Sequence, residues 1–133
     1  MKSDSFPTDG SEIPGQSGNR FKVLVIDDEP DLADISSALL HCHGFESTAV
    51  YSAADALEFL ISHPDTNAIF SDVLMPGMNG LELAESVLVL YPSIKVVLTS
   101  GFTTPDFWDN QSRPFLFAPK PYSIDRVISL LMA

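Results

Sequence analysis

The sequence predicts a doubly wound α/β domain built on five parallel strands, and three observations carry that expectation. Five short apolar runs recur between residues 21 and 133, with helix-period segments following four of them. Several runs stop abruptly on acidic, hydroxyl or lysine residues. Finally, 133 residues with 45% hydrophobic content suit one compact domain and are too few for two.

Phe21 to Ile26 is an apolar run of the buried parallel-strand kind and ends in Asp27-Asp28-Glu29. Pro30 sits well in a helix's first turn; Leu32, Ile35, Leu39 and Cys42 follow at helical spacing and form the expected core face. Gly44 is a natural C-cap. Phe45 to Val50 makes a second strand, and Ser52 can N-cap a helix carrying Ala56, Leu57, Phe59 and Leu60. His63-Pro64-Asp65 breaks that helix, and Ala68 to Asp72 is a third strand ending on an acid. After the loop from Met75 to Gly80, a helix with Leu81, Leu83, Ala84, Val87 and Leu88 runs to Tyr91-Pro92. Ile94 to Leu98 is the fourth strand and Phe115 to Ala118 the fifth. A last helix begins near Ser123 with Ile124, Val127, Ile128, Leu130 and Leu131.

Between Ser100 and Lys120 the pattern weakens. Thr104 and Pro105 could open a helix, but Asp109, Asn110 and Ser112 are poor helix formers and Pro114 forbids a long one. A fourth helix of one or two turns, or an irregular segment, is expected there. Residues 1 to 20, rich in Ser, Gly, Pro and Asp, read as a flexible tail, and residues 21–133 as the domain.

Seven basic residues face eighteen acidic ones, a net charge of -11, which argues against direct nucleic-acid binding. Such a balance is by itself ordinary for a solvated surface. No apolar run reaches the roughly 18 residues needed to cross a bilayer. The N-terminus lacks the apolar stretch of a secretory signal. A single cysteine, Cys42, excludes an internal disulfide, so a cytoplasmic, reducing location is the expectation.

Right-handed crossovers place the carboxyl ends of all strands on one edge, where ligands bind. Asp27 and Asp28 follow the first strand, Asp72 ends the third, Thr99-Ser100 end the fourth, and Lys120 follows the fifth. If the first strand lies beside the third, three carboxylates share one small volume. Like charges so close are costly unless neutralised, and a hard divalent cation with oxygen ligands is the obvious remedy. Lys120 offers a compact positive charge for a phosphate oxygen and Ser100 a hydroxyl. An acid facing both could act as nucleophile towards a phosphoryl group. Taken singly, Asp27-Asp28-Glu29 could instead be a helix N-terminal acid cluster, Lys120 a surface lysine, and Ser100 a turn cap.

Four segments, Val23-Leu24-Val25-Ile26-Asp27-Asp28-Glu29, Ser71-Asp72-Val73-Leu74-Met75-Pro76-Gly77-Met78-Asn79-Gly80, Val97-Leu98-Thr99-Ser100-Gly101 and Ala118-Pro119-Lys120-Pro121, resemble CheY-like response-regulator receiver domains of two-component signalling. The resemblance covers about residues 21–133. It implies a flavodoxin-like sheet of order 2-1-3-4-5 with helices on both faces. Asp72 becomes the phosphoacceptor. Asp27, Asp28 and Asp72, with the backbone carbonyl of Leu74, become the Mg²⁺ ligands, for which Mn²⁺ could substitute. Lys120 pairs with the phosphoryl group before a cis Pro121. Ser100 is the hydroxyl switch and Phe117 the aromatic one. Apolar Leu74 and Phe102 sit where the family tunes water access, which implies a long-lived phosphoryl state.

The implied partners are a histidine kinase or histidine phosphotransfer protein as donor and a protein downstream. No nucleic acid or membrane contact is implied, and homodimerisation on phosphorylation is a further expectation. The resemblance implies a switch rather than an enzyme, with self-catalysed phosphoryl transfer and dephosphorylation only. The chain ends at Ala133 directly after the last helix, so a stand-alone receiver, a phosphorelay intermediate and a receiver from a hybrid sensor kinase all remain open. A Mg²⁺-dependent aspartyl-phosphate phosphohydrolase is the rival reading, but its Asp-x-Asp motif would need an acid where Leu74 stands. A flavodoxin-type cofactor site would meet repulsion from Asp27-Asp28-Glu29.

His41, Cys42 and His43 are not a metal site, because neighbours one and two apart on a helix diverge. Cys42 is expected to be buried packing and the two histidines surface residues. His63 has no evident partner, and Met75 and Met78 read as loop packing. Phe102, Phe107 and Trp108 are either a docking face or core filling under a short helix.

Overall fold

A computed structural model describes residues 20–101 and 115–133. The strands are β1 (Lys22–Ile26), β2 (Glu46–Val50), β3 (Ala68–Asp72), β4 (Lys95–Ser100) and β5 (Leu116–Pro119). The helices among the described residues are α1 (Pro30–Cys42), α2 (Ala53–Ser62), α3 (Gly80–Leu90) and α4 (Ile124–Leu131). All four strand pairings are parallel and the order is β2-β1-β3-β4-β5, as the resemblance implies. β1 therefore lies directly beside β3. The expectations for the tail and for the segment from Phe102 to Pro114 fall outside the described residues.

Alternation along the strands splits the core into two layers. Leu24, Ile26, Ile69, Val96 and Leu98 meet Ala56 and Leu60 of α2 and Leu83, Ala84 and Val87 of α3 on one face. Val23, Val25, Phe70, Val97 and Ala118 meet Ala33 and Leu40 of α1 and Val127 and Leu131 of α4 on the other. β3 is buried along its whole length, which fits the central strand of a sheet covered on both sides.

Helix starts follow capping chemistry. Ser52 accepts from the Asp55 N–H at 3.0 Å and Ser123 from the Arg126 N–H at 3.1 Å. Asn79 and Glu82 form a reciprocal capping box at the start of α3. Gly44 ends α1 with φ +94°, the left-handed conformation that glycine adopts at low cost.

Four expectations are corrected. The core face of α1 is Ala33, Ser36 and Leu40, while Leu32 (42%), Ile35 (56%) and Leu39 (42%) are exposed. The helix is turned by one residue from the expected face, so that small Ala33 and Ser36 lie against the sheet and the bulkier side chains point outward. Cys42 belongs to the outward stripe and is exposed, not buried. His63 does have partners: its ring stacks on Phe59, centroids 4.0 Å apart, and its Nδ1 lies 3.0 Å from the Phe59 carbonyl oxygen. Met75 is buried in the α2–α3 layer, whereas Met78 is 37% exposed and not packed into it.

Candidate functional site

The carboxyl ends of β1, β3, β4 and β5 converge because the strands are parallel and in register. Ile26 pairs with Ser71, Asp72 with Thr99, and Ser100 with Pro119. Each strand thus delivers its terminal polar residue to the same edge. Asp27, Asp28 and Asp72 each offer a carboxylate oxygen, and these oxygens all lie within 4.8 Å of one another. Asp27 and Asp72 are buried and Asp28 is exposed, so the cluster opens towards solvent on the Asp28 side.

Lys120 leaves the end of β5 and places Nζ 3.3 Å from Asp72 Oδ2. Its backbone N–H donates to the Ser100 carbonyl at 3.1 Å, which fixes β5's end against β4's. Burial alone would lower the ammonium's pKa. The charge and hydrogen bond of Asp72, with Asp27 and Tyr122 nearby, outweigh it and raise the pKa above the ordinary lysine value. The Asp27 carboxyl is likewise pushed above the usual carboxylate range, chiefly by burial, with Asp72 and Asp28 adding repulsion. The Glu29 N–H, donating to Asp27 Oδ1 at 2.9 Å, and the charge of Lys120 hold it down in part.

Three carboxylates against one ammonium leave unbalanced negative charge in a mostly buried notch. Oxygen-only donors in such an arrangement suit a hard divalent cation. The donor set therefore fits the ion that the sequence led one to expect.

Asp72 is held by its backbone. Its carbonyl accepts from Ser71 Oγ at 2.9 Å, and its Oδ1 accepts from the Leu74 N–H at 3.3 Å. That contact brings the Leu74 backbone to the site, while the side chain is 59% exposed. Gly80, the first residue of α3, packs against the Asp72 peptide so closely that a Cβ there would lie 2.1 Å from the Asp72 carbonyl oxygen. The Gly80 N–H also donates to the Val73 carbonyl at 2.8 Å. Ser100 is fully buried at the end of β4, and Phe117 is half-buried against the α2–α3 layer.

The structure thus brings Asp27, Asp28, Asp72 and Lys120 together, with Ser100 at the adjoining strand end. Sequence reasoning missed several contacts around these residues. The Glu29 N–H and the closeness of Gly80 are backbone features with no residue-type signature beyond the glycine itself. Ser36 and Tyr122, whose hydroxyls lie 2.9 Å apart, are 86 positions apart in the chain. Thr99 Oγ1 is, among the described residues, a buried hydroxyl without a hydrogen-bond partner.

The doubly wound parallel sheet thus carries an acid cluster and a lysine together at its carboxyl edge. Residues 23–113 match the profile of the response regulator receiver domain. The chain belongs to that family. It is 30% identical over 113 residues to a putative NtrX-like response regulator of Rickettsia bellii, covering 82% of this chain and 23% of that protein. It is 32% identical over 108 residues to the C4-dicarboxylate transport transcriptional regulatory protein DctD of Rhizobium meliloti, covering 80% of this chain and 23% of that one. The chain therefore spans less than a quarter of these relatives' length. Among solved structures, a response regulator receiver protein from Sinorhizobium medicae superimposes with TM-score 0.76 at 26% identity, covering 88% of this chain and 98% of that one. A receiver domain from Clostridium thermocellum, at 21% identity and TM-score 0.77 over 84% of this chain and 90% of that one, shares the fold.

Proposed function

We propose that this receiver domain takes a phosphoryl group from a phosphohistidine onto Asp72 and presents the change to a protein partner. The observation that carries the reading is the meeting of Asp72 with both Lys120, at 3.3 Å, and the carboxylates of Asp27 and Asp28. A carboxylate oxygen of Asp72 attacks phosphorus, the P–N bond of the donor breaks, and the imidazole nitrogen leaves with the bonding pair. Lys120, already at the acceptor carboxylate, follows the phosphoryl oxygens by electrostatic attraction. Ser100, at the adjoining strand end, supplies a hydroxyl to another phosphoryl oxygen, and Phe117 on β5 follows that movement.

Asp27, Asp28 and Asp72, with the Leu74 carbonyl, are the residues that would hold Mg²⁺ or Mn²⁺, which neutralises charge as phosphate joins an acidic site. A histidine kinase or histidine phosphotransfer protein is the donor in this reading, and the setting is cytoplasmic. No described helix is long and apolar enough to cross a membrane. Because the relatives are some four times longer, the output this domain governs belongs to a larger protein or to a separate partner. With a net charge of -11 over the whole chain, its contacts are with protein rather than nucleic acid.

Incubation with acetyl phosphate and Mg²⁺, followed by intact-mass measurement, tests the proposal. One phosphoryl group is gained by the wild type, and none by Asp72→Asn or when the metal is chelated. A wild type that gains nothing from either acetyl phosphate or a phosphohistidine donor overturns it.

A further inference from the structure

We infer that Tyr122 is a positioning residue for Lys120, locked in place by the buried hydroxyl of Ser36. This rests on the reading of Asp72 as phosphoacceptor and Lys120 as its phosphoryl partner. A lysine side chain is long and flexible, so where its ammonium sits depends on how firmly the backbone beneath it is held. On one side Lys120 is anchored by its N–H on the Ser100 carbonyl. On the other stands Pro121, which has no N–H to give. The next anchor along the chain is Tyr122.

Tyr122 is fixed twice. Its ring meets Phe70 edge to face, with centroids 5.2 Å apart and planes at 83°. Its hydroxyl lies 2.9 Å from Ser36 Oγ. Phe70 is two residues before Asp72 on β3, and Ser36 lies on α1, the helix that follows Asp27 and Asp28. One side chain therefore ties the lysine's turn to β3, which ends on Asp72, and to α1, which follows Asp27 and Asp28. Ser36 is only 7% exposed and faces a layer of apolar side chains, so its hydroxyl has good reason to keep the tyrosine as partner. A phenylalanine would keep the ring packing and lose the lock.

The test follows phosphorylation by acetyl phosphate at saturating Mg²⁺, by intact mass, in the wild-type chain and in Tyr122→Phe, Ser36→Ala, the double variant, Lys120→Ala and Lys120→Ala/Tyr122→Phe. Calorimetry gives the Mg²⁺ affinity of each. Tyr122→Phe and Ser36→Ala each slow phosphorylation about three- to tenfold, and the double variant is no slower than the slower single one. Mg²⁺ affinity stays within about twofold of wild type. In the Lys120→Ala background Tyr122→Phe has no further effect, which a merely structural role would not produce. A wild-type rate in both single variants overturns the inference. So does slowing that persists without Lys120, or a parallel loss of Mg²⁺ affinity. If Tyr122→Phe does not fold, Ser36→Ala removes the same bond from the other side. A wild type that is never phosphorylated overturns the phosphoacceptor reading itself, whereas a phosphorylated wild type with unaffected variants overturns only the role of Tyr122.

Discussion

Asp27 is the residue whose surroundings make the sharpest demand on the fold. Buried beside two other carboxylates, it holds its proton more tightly in the folded protein than in the unfolded chain. Its ionisation therefore costs stability at pH values above its folded pKa. The cost disappears as pH falls below the ordinary carboxylate range, where both states are protonated. Asp27→Asn should accordingly raise the melting temperature of the metal-free protein by a few degrees at neutral pH, with the gain vanishing near pH 3 to 4, the range around the ordinary aspartate value of about 3.9. Thermal melts in chelator across that range check it; a destabilised variant at pH 7 would contradict it. Lys120 has the opposite sign. Its raised pKa contributes stability below the ordinary lysine range, and that contribution is lost as pH rises through the folded value. The acids and the lysine were legible in the sequence because each ends an apolar run. The Ser36–Tyr122 contact was not, because nothing local to either residue points to the other.

α1 shows where pattern reading fails at the level of elements. Leu32, Ile35 and Leu39 fall on one helical face, and so do Ala33, Ser36 and Leu40, one residue further on. Periodicity fixes that a helix forms, but two adjacent stripes compete for the core. The larger side chains do not win, because a helix lying directly on a parallel sheet needs small residues at the closest approach. Leu40→Ala should therefore destabilise by about 2–5 kcal/mol, as fully buried leucines do, whereas Leu39→Ala should cost under about 1 kcal/mol. Urea denaturation of the two variants decides it, and a larger loss for Leu39→Ala than for Leu40→Ala would mean the helix presents the Leu32–Ile35–Leu39 face to the sheet. α2, α3 and α4 were easier to read. Ser52 and Ser123 each cap the helix they were expected to open, and Gly44 ends α1 as expected.

The order of the whole sheet was legible through the motifs, since only β1 beside β3 brings Asp27, Asp28 and Asp72 to one place. The cluster gathers acid in an already acidic molecule, so a specific divalent cation should stabilise the whole domain. At one hundred times its dissociation constant, Mg²⁺ adds about 2.7 kcal/mol by mass action. Melts with Mg²⁺ against matched ionic strength from NaCl separate this from simple screening, and an equal rise in both salts would remove the case for a site. The exposure of Cys42 has its own consequence for handling the molecule. It is the chain's single cysteine, and it sits at the outer end of α1. A thiol reagent should consume one equivalent under native conditions, giving a uniquely addressable attachment point without mutagenesis. Without reductant, the same thiol should join two chains covalently. Any dimer attributed to phosphorylation must therefore survive dithiothreitol, and on non-reducing gels Cys42→Ser should abolish only the covalent species.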